Sequence, residues 1–284
     1  MVKTVRLAHR IAGCLLLTRP GNVAIVIVSV AVGSHLSGGL RSVSVLFACI
    51  SAGLILAGGN AVNDVCDLRI DRINNPGRPI PAGIVTRRAG VVLGGILFLL
   101  GMAASSIIGP VAFSIAGCSS VLLAVYALWA KRQMVLGNLL VSTLTALAFI
   151  YGGVAGGRPE GALFPALFAF LFHLGREIVK DVQDVRGDRE AYARTLPGVF
   201  GERAGILLAA AVFALLVVVT PLPFMQGLYG YVYLIMVLVG VDLVLAVIIA
   251  SLLSRRRWMD LRRASTLIKM DMVVGLAALL VGRL

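Results

Sequence analysis

The sequence predicts an all-α membrane protein in which nine transmembrane helices form one bundle. Of its 284 residues, 59% are hydrophobic and only 14% are charged, a composition typical of polytopic membrane proteins. Apolar runs of about the length that a bilayer requires recur along the whole chain, and polar or basic segments separate them. Their predicted bounds are 20–36, 43–57, 89–108, 111–130, 136–156, 162–178, 204–221, 229–253 and 265–281.

The lysines and arginines predict how this bundle is oriented. If the N-terminus lies in the cytoplasm, the cytoplasmic side carries all of the 26 basic residues except Arg41, Arg158 and Arg283. Basic residues are enriched on the cytoplasmic side of membrane proteins. We therefore expect a cytoplasmic N-terminus, an external C-terminus and a location in the cytoplasmic (plasma) membrane. The net charge of +13 then attracts lipid head groups and diphosphates, and no nucleic-acid module is visible.

The residues before the first span are expected to form an amphipathic segment on the membrane surface. Residues 1–19 intersperse apolar residues with basic ones. A signal-peptide cleavage pattern is missing, because Arg19 and Pro20 stand where small residues would be needed. We therefore expect residues 1–284 to form a single polytopic domain.

The second span leads into a first acidic segment. Its polar residues are spaced i, i+4, i+7 and i+11, which places them on one helix face: Asn60, Asp64, Asp67 and Asp71. Carboxylates on one face repel unless a cation lies between them, and ligation by oxygen alone suits Mg²⁺. Three prolines keep residues 75–83 from forming a helix, so we expect a stiff loop that places Arg78 beside the acidic face.

A second acidic segment follows roughly 120 residues later, at the end of the sixth span. It repeats the same spacing with Glu177, Asp181, Asp184 and Asp188. Gly187 is expected to end this helix, so that a turn would deliver Asp188. Two carboxylate clusters that face one another would hold two or more Mg²⁺ ions around a diphosphate and stabilise it as a leaving group.

Both segments resemble the motifs of the UbiA-type intramembrane prenyltransferases. The first resemblance rests on Asn63-Asp64-x-x-Asp67-x-x-x-Asp71, followed by Arg78-Pro-Ile-Pro-x-Gly83. The second rests on Arg176-Glu177-Ile-Val-Lys180-Asp181-x-x-Asp184-x-x-Gly187-Asp188, and it is most similar to the branch that makes archaeal-type ether lipids, the digeranylgeranylglyceryl phosphate synthases. The opening helix and the basic loop after the fourth span also resemble that family, through Arg19, Asn22, Tyr126, Lys131 and Arg132.

The resemblance implies a Mg²⁺-dependent transfer of a geranylgeranyl group from its diphosphate, through an allylic cation, to the hydroxyl of geranylgeranylglyceryl phosphate. The implied metal ligands are Asp64, Asp67, Asp71, Asp181, Asp184 and Asp188. Cations expected to neutralise the diphosphate are Arg78, Lys131 and Lys180, while Arg19 or Arg69 would meet the phosphate of the acceptor. The other expected substrate contacts are Asn60, Asn63, Asn22, Tyr126 and Arg132.

Two other functions remain open at this stage. A UbiA-type enzyme could instead prenylate an aromatic quinone precursor or a tetrapyrrole. A transporter would carry acids near the middle of the bilayer, whereas all the acids except Asp242 are expected at the cytoplasmic face. Asp242 has no assigned role, and the run Arg255-Arg256-Arg257 is interpreted as a signal that sets the topology.

Overall fold

A computed structural model of the chain describes residues 2–39, 43–190, 195–254 and 259–283; within these ranges the side chains of residues 2–8, 74, 132 and 186–190 are not described. The described residues are helical almost throughout, and their only strand-like pairing is a single bridge between Tyr229 and Arg283. The α-helices are α1 Val2–Leu17, α2 Pro20–Leu36, α3 Val43–Cys66, α4 Leu68–Asn74, α5 Arg87–Ser106, α6 Pro110–Leu128, α7 Leu136–Ala155, α8 Leu163–Glu190, α9 Leu196–Phe200, α10 Glu202–Val219, α11 Leu222–Met225, α12 Tyr231–Val237, α13 Leu243–Leu253 and α14 Leu261–Val281.

Each predicted apolar run coincides with a helix or a pair of helices. In the described part of the chain, eight helical segments are long and apolar enough to cross a membrane. A ninth arises if α1 and α2, which meet at a 46° bend, are counted as one span. The helical membrane fold is therefore confirmed, with eight or nine spans in place of a fixed nine.

The prediction that Gly187 ends a helix is wrong, because α8 continues to Glu190. A single glycine inside a helix costs only about 0.5–1 kcal/mol relative to alanine, which does not by itself terminate a long helix. The backbone of Asp188 therefore belongs to α8 and not to a turn.

The chain divides into two compact units, and the first comprises Met1–Ala130 and Leu147–Ala162. Its buried apolar core joins α2, α3, α6 and α7 through residues such as Val30, Ile55 and Tyr151. Two glycines let α2 and α7 pack with their backbones almost touching. A Cβ on Gly33 would lie 2.2 Å from the carbonyl oxygen of Phe149, and one on Gly152 would lie 2.0 Å from that of Val30.

The second unit comprises Lys131–Ala146 and Leu163–Leu284. Phe213 on α10 is fully buried, and its ring fills the space that a side chain at Gly175 of α8 would need. The eighth predicted span is not one continuous α-helix, because a π-helical turn over Leu238–Asp242 separates α12 from α13. A π turn inserts one extra residue into the helix, and hydropathy alone does not reveal such an insertion.

Candidate active site

The first acidic segment lies at the junction of two helices. Asp67 separates α3 from α4, so the predicted acidic face is divided between them. Helical hydrogen bonds nevertheless continue across the junction, from the Asp67 amide to the Asn63 carbonyl at 2.9 Å and from the Asp71 amide to the Asp67 carbonyl at 2.8 Å. The helical spacing of the acids is therefore kept although the helix is interrupted.

Asp64 is the buried centre of this segment. Its side chain is 5% exposed, and it forms a salt bridge with Arg19. The Nη1 atom of Arg78 lies 3.7 Å from the same carboxylate oxygen. Two guanidinium groups therefore neutralise one carboxylate, and both reach it from outside α3.

Arg19 reaches Asp64 from the break between α1 and α2. Its φ of 52° places it in the left-handed region, since the following Pro20 disfavours the ordinary helical conformation there. The side-chain amide of Asn60 donates a 2.9 Å hydrogen bond to the Thr18 carbonyl. Asn60 and Asp64, one helical turn apart on α3, thus bind the two residues at this break, Thr18 and Arg19.

The proline-containing loop positions Arg78 as predicted. The residues between α4 and α5 form turns, and Arg78 Nη1 donates a 2.6 Å hydrogen bond to Asp71, whose side chain is 5% exposed. The prediction that this loop brings Arg78 beside the acidic face is therefore confirmed. Arg19 and Arg78 balance the charges of Asp64 and Asp71, and Asp71 serves here to fix Arg78.

The donor atoms of this segment suit a hard cation. Asp67 accepts a 2.8 Å hydrogen bond from Asn63, and Asp64 lies one turn before it on α3. Among the residues described, no three His, Cys, Asp or Glu side chains converge on one point. Mg²⁺ often binds to only one or two carboxylates and completes its shell with phosphate oxygens and water. The residues present therefore fit such an ion together with a phosphate ligand.

The second acidic segment lies on α8, where its acids have different partners. Glu177 pairs with Arg176 at 2.7 Å and with Lys180 at 3.5 Å. Asp181 accepts a 2.7 Å hydrogen bond from the side-chain amide of Asn138 on α7. Asp184 is exposed and forms no hydrogen bond or ion pair with another described residue. Two basic side chains therefore neutralise Glu177, and the hydrogen bond from Asn138 fixes the orientation of the Asp181 carboxylate. The Asp184 carboxylate is exposed to solvent.

The structure describes the side chains of four further predicted residues. Tyr126 on α6 and Lys131, in the short 3₁₀ turn Ala130–Arg132, are half-buried. Asn22 and Arg69 are exposed, and neither side chain binds another described residue. Three predictions lie outside the described side chains: those on Arg132, on Asp188 and on the run 255–257.

Two contacts of the site were not predicted. Asn138 was not among the predicted site residues, and its hydrogen bond to Asp181 joins positions 43 residues apart in sequence. Arg19 was expected to meet the phosphate of the acceptor, and in the structure it binds Asp64. Neither contact has a local sequence signal, since each depends on the packing of distant segments.

Sequence comparisons connect this geometry to known proteins. The profile of the UbiA prenyltransferase family matches residues 22–270. A digeranylgeranylglyceryl phosphate synthase of Methanopyrus kandleri is 36% identical over 93% of this chain and 96% of its own. A protein of the same name from Natronomonas pharaonis is 37% identical over 97% of this chain and 98% of its own.

Two solved structures of similar fold agree with the sequence comparisons. A structure described as a digeranylgeranylglyceryl phosphate synthase in membranes aligns with a TM-score of 0.86 at 30% identity, over 96% of this chain and 98% of its own. A UbiA homologue from Archaeoglobus fulgidus, bound to GPP and Mg²⁺, aligns with a TM-score of 0.61 at 18% identity, over 95% of this chain and 100% of its own. At 18% identity, the similarity to the Archaeoglobus fulgidus protein shows that the two chains share a fold.

Proposed function

This chain belongs to the UbiA prenyltransferase family and is an integral, multi-pass membrane protein, and we propose that it transfers a geranylgeranyl group from its diphosphate to the hydroxyl of geranylgeranylglyceryl phosphate. The observation that supports this acceptor is the 36–37% identity, over nearly the whole chain, to two relatives that share one name. The two acidic segments and their associated cations support the diphosphate as donor.

We propose that Asp64 and Asp67 serve as carboxylate ligands for Mg²⁺ in the first unit, and that Asp181 and Asp184 do so in the second. Mg²⁺ that is bound together with the diphosphate would neutralise the negative charge that builds up on the leaving group. Asn138 keeps one oxygen of Asp181 engaged and so fixes the orientation of the carboxylate. Asn63 does the same for Asp67.

Arg78 is proposed to bind the diphosphate directly. Its described contacts use one terminal nitrogen, Nη1, for both Asp71 and Asp64. The other terminal nitrogen and Nε remain as donors, and a guanidinium group binds phosphate oxygens in a two-pronged fashion. Lys180, whose side chain is 50% exposed and lies 3.5 Å from Glu177, is proposed to add a point charge. We propose that the half-buried Lys131 also contributes positive charge to the diphosphate.

The proposed reaction breaks the bond between the allylic carbon and the diphosphate oxygen. The resulting allylic cation must be protected from water, and the apolar helices provide a dry environment for it. The hydroxyl oxygen of the acceptor forms an ether bond with that carbon and releases its proton. Diphosphate leaves with the electron pair of the broken bond, so that charge and atoms balance.

The test is a product assay with the detergent-purified protein, labelled geranylgeranyl diphosphate and Mg²⁺. Geranylgeranylglyceryl phosphate and 4-hydroxybenzoate are offered in separate reactions. We expect a doubly prenylated glyceryl phosphate only in the first. Product only in the second would assign an aromatic acceptor, and product in neither reaction would contradict the proposal.

A further inference from the structure

Two aspartates lie inside the second unit, in helices that are long and apolar enough to span the membrane. Asp242 is the last residue of the π turn Leu238–Asp242, and Asp271 lies near the middle of α14. The sequence analysis singled out Asp242 and missed Asp271. Asp242 is 6% exposed and Asp271 is 2% exposed. Acids within membrane spans are costly and usually functional.

The π turn packs against α14 at these residues. A Cβ on Gly240 would lie 2.8 Å from Cγ1 of Val274, and one on Gly275 would lie 3.7 Å from Cγ2 of Val241. Asp271 precedes Gly275 by one helical turn, and Asp242 follows Val241 directly. The two aspartates therefore lie on turns of the π segment and of α14 that pack against each other.

Few hydrogen-bond donors face the two carboxyl groups. The hydroxyl oxygen of Thr220 lies 3.0 Å from each oxygen of Asp242 and also 3.0 Å from the Val217 carbonyl oxygen. That hydroxyl has a single hydrogen, so it serves only one of these acceptors at a time. The Tyr233 hydroxyl donates to the Thr220 carbonyl at 2.7 Å and is engaged there. Both oxygens of Asp271 are buried without a hydrogen-bond partner among the described residues.

Within residues 2–39, 43–190, 195–254 and 259–283, neither aspartate forms an ion pair with a lysine, arginine or histidine. On the neighbouring elements, the Tyr233 hydroxyl of α12 is engaged with the Thr220 carbonyl, and Thr220 itself, just after α10, is neutral. Helix α8 also packs against α14. Its charged side chains Arg176, Glu177 and Lys180 pair with one another, and Nδ1 of its His173 is buried without a hydrogen-bond partner among the described residues. Two buried carboxylates without a counter-charge are strongly disfavoured.

We propose that Asp242, Asp271 and the Thr220 hydroxyl form a buried site for one small monovalent cation, a proton or a sodium ion. Both ions bind carboxylate and hydroxyl oxygens, and one positive charge offsets the repulsion between the aspartates. Four carboxylate oxygens and one hydroxyl are available, whereas Mg²⁺ demands near-ideal octahedral geometry. The site shares no residue with the two acidic segments and does not rest on the proposed function.

The test is thermal unfolding of the purified protein in detergent, because a ligand that binds only the folded state raises its melting temperature. In one arm, choline chloride is replaced by sodium chloride at alkaline pH and constant ionic strength. In the other arm, the pH is lowered in choline chloride alone. We expect a rise of roughly 5 °C in at least one arm for a site that becomes saturated. A response to sodium identifies sodium, and a response to acid alone identifies the proton.

The control variants decide whether the response belongs to this pair. Asp271→Asn and Asp242→Asn are expected to lose it, while Asp260→Asn, an exposed acid just before α14, is expected to keep it. Equal responses of wild type and Asp271→Asn in both arms would overturn the proposal. Should the asparagine variants not fold, Thr220→Val is expected to weaken the response, and an unchanged response overturns it.

Discussion

Arg19 combines an unusual backbone with a buried ion pair. It is the only non-glycine residue with positive φ among the residues described, a conformation that costs about 1–2 kcal/mol for an L-residue. Its guanidinium group offsets this cost by binding the buried Asp64. The sequence motif predicted the acids of this site, but it could not predict that Arg19 meets Asp64 across 45 positions.

Arg19 variants separate the backbone from the charge. Arg19→Gly tolerates the left-handed backbone but leaves Asp64 with only Arg78, so we expect kcat to fall roughly 100-fold. Arg19→Lys keeps the charge without the planar fork and is expected to lose roughly 10-fold. Steady-state kinetics together with melting temperatures measure both. Wild-type kcat in Arg19→Gly would contradict this role.

Asn138 provides a second prediction for a single residue. Asn138→Ala removes the hydrogen bond to Asp181, so we expect a 10–100-fold higher Mg²⁺ requirement, a magnitude typical for groups that orient metal ligands. Titration of activity with Mg²⁺ measures it. Ser142→Ala is the matched control, because Ser142 lies one turn further along α7 and donates only to the Asn138 carbonyl. An equal effect of both substitutions would indicate a loss of helix packing instead.

At the scale of the helices, hydropathy predicted most of the architecture. Each apolar run became a helix or a pair of helices because a backbone in lipid must satisfy its own hydrogen bonds. The junction at Asp67 and the π turn before α13 were not predicted. Both are small backbone adjustments that depend on neighbouring helices, and they leave the apolar pattern unchanged.

The packing of α2 against α7 yields a prediction for stability. Gly33→Ala would place a methyl group 2.2 Å from the Phe149 carbonyl oxygen, so the helices must separate. We expect a loss of about 1–3 kcal/mol, measured as a lower melting temperature in detergent. Gly95→Ala on α5 meets nothing within 4 Å and is expected to be neutral or stabilising. Equal melting temperatures for the two variants would contradict this packing.

At the scale of the whole molecule, the number of membrane spans determines whether the two termini lie on the same side of the membrane or on opposite sides. The break at Arg19 decides between eight and nine spans, because α2 alone has 17 residues. The distribution of basic residues favours nine, with the N-terminus and the two acidic segments on the cytoplasmic side. This arrangement stays a prediction from the charge distribution, whereas the bend between α1 and α2 emerges only from the folded chain.

Protease protection in sealed inside-out vesicles tests this topology. A tag at the N-terminus is expected to be cleaved, because it would face the medium, while a tag at the C-terminus is expected to be protected. Nine spans require this difference between the two ends. Cleavage of both tags would show an even number of spans and would remove α2 from the set of membrane-crossing helices.

The central claim is that carboxylates of both acidic segments activate the prenyl diphosphate through Mg²⁺. The most direct measurement is release of diphosphate from geranylgeranyl diphosphate, in the presence of acceptor and across Mg²⁺ concentrations. We expect Asp64→Asn and Asp181→Asn each to lower the rate roughly 100–1,000-fold, and the exposed Glu160→Gln to match the wild type. Rates near that of the wild type in either aspartate variant, or release that persists in EDTA, would contradict the claim.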